Sequence, residues 1–110
     1  MTEKKYKNGH VLYKNGDEHS GNVFFIISGV VKINIKHHSE IKKYGMGEIV
    51  GLENLYNLND HISTAIVETD SVIISVPINY FREVADNHLS IEIMAKKEET
   101  FFKLKTISKK

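Results

Sequence analysis

From Val11 to Val76 the sequence never holds a helical period for more than a turn or two; short β-rich segments follow one another, each broken by glycine or an Asn/Asp turn. Such a string folds into an all-β roll or barrel. Residues 23–27, VFFII, are a continuous apolar run ending at Ser28-Gly29, suited to a strand covered on both faces. Residues 31–36, VKINIK, alternate strictly, with Val31, Ile33 and Ile35 on the core side and Lys32, Asn34 and Lys36 in water. His37-His38-Ser39-Glu40 turns the chain, and Ile41 to Tyr44 returns as hairpin partner. A second pass repeats the logic, with strands at Thr64–Glu68 and Val72–Val76 around the turn Thr69-Asp70-Ser71. Pro77, the only proline, stops the last strand because it has no N–H for the ladder.

Beyond Pro77 the period changes. Tyr80, Phe81, Val84 and Ala85 predict an amphipathic helix over about 78–87 with Asn79 as its N-cap. A second helix over about 90–105 begins behind Ser90, with Glu92 in its first turn and lysines at its end. It carries Ile91, Met94, Ala95, Phe101, Phe102 and Leu104, which is too apolar to stand alone, so it must lie on the roll or on a second copy of the chain. A seam of Ile91, Met94, Glu98 and Phe101 follows heptad spacing, imperfectly because Glu98 takes a core-type position. The expected partner is a second copy, joined through Ile91, Met94, Ala95 and Phe101 in a homodimer.

At 110 residues there is room for one domain, 1–110, with the roll over about 9–77, and the composition, 41% apolar and 26% charged, is that of a globule. The absence of cysteine excludes disulfides and Cys-based metal sites. Net charge is +1, with lysines gathered at both ends as solvated decoration without interleaved aromatics, so no direct nucleic-acid contact is expected. No apolar run is long enough for a membrane and no signal peptide is visible, which predicts a cytoplasmic protein. Of the six histidines, His37 and His38 are adjacent, the wrong spacing for a His-x-His metal site on a strand, and His10, His19, His61 and His88 read as loop residues. No metal and no catalysis are expected.

The stretch with chemical content is MGEIVGLENLYNLNDHISTA, residues 46–65. Gly47 and Gly51 frame a short strand, a few helical residues follow, and an Asn/Asp-rich turn leads into a β-branched run. That order places backbone N–H groups around a ligand, and a helix starting at residue 52 would turn a positive dipole end toward an anion. Yet the stretch holds Glu48, Glu53 and Asp60 with no lysine or arginine, a formal −3.

Taken in order, Lys7-Asn8-Gly9 with Leu12 and Gly16-Asp17, Phe25-Ile26-Ile27-Ser28-Gly29, Gly47-Glu48 with Gly51, Thr64-Ala65, and Val76-Pro77 with Phe81 resemble the cyclic-nucleotide-binding domain of CRP/FNR (catabolite activator) regulators. The resemblance spans Tyr6 to about Leu104. It implies a double-stranded β-helix, a jelly-roll-like β-roll flanked by C-terminal helices. It also implies a ligand cassette of Gly47, Gly51, Leu52, Glu53, Asn54, Ser63, Thr64 and Ala65. In binding members a glutamate directly after the second glycine grips the ribose and an arginine before Ser/Thr-Ala neutralises the phosphate. Here Leu52 stands in the first place and Ser63, or Ile62 if the loop is shifted by one, in the second, and Glu53, one residue on, would be turned away. The expected function is a regulatory ligand-sensing module that does not hold cAMP or cGMP tightly, with a cyclic nucleotide or another small molecule as the ligand class. The alternatives are a ligand-free dimerisation or protein-docking domain, or an effector piece of a transcription regulator. The regulators' helix-turn-helix would lie beyond Leu104, where only six residues remain.

Overall fold

A computed structural model describes residues 2–18, 20–35, 39–54, 60–87, 93 and 95–100. Eight strands, β1 Thr2–Tyr6, β2 Val11–Tyr13, β3 Asn22–Ser28, β4 Val31–Ile35, β5 Ile41–Tyr44, β6 Ile49–Val50, β7 Ser63–Val67 and β8 Ser71–Pro77, precede helix α1, Ile78–Asn87. They form two four-stranded sheets, ordered β1-β8-β3-β6 and β2-β7-β4-β5, antiparallel throughout. The mainly β, roll-type architecture matches the fold expected from the sequence.

Strand parity explains where the core lies. Val31, Ile33 and Ile35 face inward from β4, opposite Val67, Ala65 and Ser63 of β7, and all six are buried. The alternation of 31–36 therefore sets this sheet's inner face, and β5 returns beside it with Val31 opposite Tyr44 and Ile33 opposite Lys42. The run 23–27 is covered on both faces, as its continuous apolarity suggests. Val23 pairs with Val76 and Ile26 with Ile73, an odd spacing on each strand. Ile26 and Ile73 join Tyr13, Tyr44 and Val50 in the roll interior, whereas Val23 and Val76 pack with Leu52, Ile78 and Ala95 in a second cluster under the helices.

Three details correct the sequence reading. The lysines at 4 and 5 belong to β1, an exposed edge strand paired with β8, so the roll starts before residue 9. Pro77 is the final residue of β8, opposite Asn22, where a missing N–H is tolerated. The helix starts at Ile78, whose N–H donates to Gly21 O at 2.8 Å. Asn79 is therefore inside the first turn, where its Oδ1 accepts from Arg82 Nη1 at 3.3 Å and does not cap.

Candidate functional site

The two cassette glycines do different work. Gly47 lies in the turn after β5 with φ +85°, its N–H donating to Ile26 O at 2.8 Å. Gly51 has φ +103°, a left-handed conformation that favours glycine, and it lies beside Val23 of β3, where a β-carbon would make ordinary contact. Leu52, Glu53 and Asn54 then form a single 3-10 turn. Residues 55–59 lie outside the described residues.

Leu52 and Glu53 diverge. Leu52 enters the helix-side cluster with Val23, Val76, Ile78 and Ala95. Glu53, expected to be turned away, is only 7% exposed, and its charge acts on both Tyr13 and Tyr44. Burial pushes its carboxyl up to about 7; the Glu98 charge adds to that, while a hydrogen bond with its own backbone and the Lys42 charge pull it down.

At the other end of the cassette, Ser63 faces inward from β7 and is 0% exposed. Thr64 points the other way, its Oγ1 accepting from Asn15 N at 3.0 Å, and Ala65 is core. Thus Glu53 and Ser63 approach a common interior, where Tyr13 also lies, while Gly47 and Leu52 border the neighbouring cavity and Thr64 does not join them. Burial holds the Tyr13 phenol well above its ordinary value, Glu53 raises it further, and the Ser63 hydroxyl pulls it back, although the approach of the two hydroxyls falls short of hydrogen-bond geometry.

His61 is a second correction. It is not a solvated loop side chain but is buried, its ring stacked on Tyr13 with centroids 3.7 Å apart and planes 14° off parallel.

Three residues that the sequence reading did not place in the site come together beside it. Lys42 and Tyr44 share the inward face of β5, and Glu98 reaches them from helical residues 95–100. Lys42 Nζ donates to Glu98 Oε2 and Tyr44 Oη to Glu98 Oε1, both at 2.6 Å. Burial, then the bond to Glu98, pushes the Tyr44 phenol far up, so it remains a donor. These three residues, with Gly47, Glu48, Ile49, Leu52 and Lys97, line a cavity of about 280 Å³. The clues in the sequence were Glu98 at a core-type helix position and Lys42 two residues from Tyr44 on a strand.

Ala95 is buried against the roll of its own chain, whereas Ile91, Met94 and Phe101 of the expected dimer seam lie outside the described residues. Among the described residues no group of three His, Cys, Asp or Glu could hold a metal, and no helix is long and apolar enough to cross a membrane.

Several solved structures share this architecture. One is from work on a cyclic-GMP-dependent signalling pathway that regulates bacterial phytopathogenesis (18% identity, TM-score 0.70, covering 90% of this chain and 80% of that one). A second is cAMP-bound PfPKA-R (18%, TM-score 0.77, 93% and 34%), and a third is the EAL enzyme Bd1971 in its cAMP-bound form (16%, TM-score 0.69, 93% and 30%). The chain thus spans about a third of the length of the last two, and likeness at these identities is likeness of fold. No curated protein sequence matches the chain significantly. The profile of the cyclic nucleotide-binding domain matches residues 3–88. With that match over most of its length, and the two-sheet roll beneath it, the chain belongs to the cyclic nucleotide-binding domain family.

Proposed function

We propose that this chain is a regulatory, non-catalytic ligand-sensing module of the CRP/FNR type whose cyclic-phosphate seat keeps its backbone but lacks its cation, so that cAMP and cGMP are not held tightly. The observation that carries this reading is Ser63. It occupies the position where the resemblance calls for arginine, it is fully buried, and the Tyr13 phenol that it approaches also feels the Glu53 charge. Replacing a charge-assisted phosphate contact by a hydroxyl costs on the order of 1.5–3 kcal/mol, or tenfold to several hundredfold in affinity. A cytoplasmic setting and control of a larger regulator follow the same reading.

A second reading is favoured by exposed apolar side chains on the helical residues. Tyr80 and Ile93 are each about half exposed, 49% and 50%. They suit a homodimer or a protein partner docked on the helical side.

The test is a thermal-shift panel with cAMP and cGMP on the wild type and on Ser63→Arg. A ligand at about 100 times its Kd adds about 2.7 kcal/mol of stability. The wild type should show no shift at about 100 µM, where a micromolar Kd would give that full effect; Ser63→Arg should gain one. A folded Ser63→Arg that ignores both nucleotides would show that position 63 is not the phosphate position.

A further inference from the structure

The contact between Glu98 and β5 has the form of a receptor occupied by its own chain. Lys42 and Tyr44 stand two residues apart on one strand, and each donates one 2.6 Å hydrogen bond to a different oxygen of the same carboxylate. The donors are held by the β4 pairing, whereas the acceptor arrives from helical residues more than fifty positions later. The Glu98 side chain is 15% exposed and that of Lys42 is 33% exposed. The cavity of about 280 Å³ opens beside this contact, with the Tyr44 ring, Ile49 and Leu52 as apolar wall and Glu48 and Lys97 as its other charged residues. An enclosed apolar space of about 150 Å³ already accepts a benzene ring.

We propose that Lys42 and Tyr44 form an anion seat now filled by Glu98, and that a small organic monoanion with a flat apolar body displaces Glu98 and releases residues 95–100 from the roll. It rests on the reading that the cassette at Ser63 no longer holds a phosphate. Exchanging one carboxylate for another leaves the local charge unchanged, so the neighbouring Glu53 and Glu48 resist it no more than they resist Glu98. An anion placed at Ser63 would instead add a charge beside Glu53 without an added cation. The displaced Glu98 returns to water at the surface.

An internal occupant competes at an effective concentration on the order of millimolar, and an outside ligand sees its affinity reduced by the occupied fraction. Calorimetric titration of the full chain with benzoate, with benzamide as the uncharged control, reads this directly. Glu98→Ala should bind benzoate at least about tenfold more tightly than the wild type. Adding Lys42→Met should abolish the gain, and benzamide should respond to neither change. Hydrogen exchange at 95–100 should rise when the wild type is saturated with benzoate. Should Glu98→Ala fail to fold, Glu98→Gln keeps the side-chain volume and should still bind more tightly than the wild type. Equal benzoate affinity in the wild type and the folded Glu98 variant, an equal gain for benzamide, or unchanged exchange at 95–100 would overturn the proposal. Tight cAMP binding by the wild type would instead overturn the cassette reading, and the benzoate result is scored separately from it.

Discussion

Glu53 is the residue in which burial and charge conflict most sharply. Its carboxyl titrates near 7 in the folded chain against 4.5 for the free group, so the native state takes up the proton first. The stabilisation from that proton is complete below about pH 4.5 and is lost as pH rises through about 7, a span worth about 3 kcal/mol. Glu53→Gln, neutral at every pH, should be more stable than the wild type at pH 8 by about 1–3 kcal/mol, and its stability should vary less between pH 4.5 and 7. Urea melts across that range measure both; an unchanged slope would mean that Glu53 is solvated. The sequence marked Ser63, or Ile62 with the loop shifted by one, for the arginine position, because the Thr64-Ala65 pair follows it. It did not disclose the burial of Glu53 or His61. A polar side chain in an Asn/Asp-rich stretch reads as solvated, and the stacking of His61 on Tyr13 joins distant parts of the chain.

At the scale of elements, the strict alternation of 31–36 and the turns at 37–40 and 69–71 were enough to place β4, β5, β7 and β8. β4 has a buried face that writes a period of two into the sequence, and the turns then place its neighbours. β1 was not legible, because all of its residues but Tyr6 are exposed and no buried face writes an alternation into them. The close approach of the β3–β4 turn to β8 depends on Gly29, which has φ +100° and where a β-carbon would lie 2.0 Å from Ser71 Oγ and 2.7 Å from Ser71 Cα. The latter is backbone and cannot swing aside. Gly29→Ala should therefore destabilise the chain by about 2–4 kcal/mol in urea unfolding. A loss well under 1 kcal/mol would mean that the turn relaxes freely.

For the whole molecule, the roll supplies a family architecture, and the proposed loss of nucleotide affinity rests on the charged groups around its pocket. Among the described residues, the lysines lining the cavity are Lys42, bonded to Glu98, and Lys97. The interior behind it carries Glu53 with Tyr13, His61 and Ser63. The sequence shows no lysine or arginine in 46–65 but does not show the Glu98 contact, which required knowing that β5 and helical residues 95–100 meet. Calorimetric titration of the unmodified chain with cAMP and with cGMP bears most directly on the central claim. Neither should bind more tightly than about 100 µM, and saturation with a Kd of about 1 µM or below, near −8 kcal/mol, would contradict it.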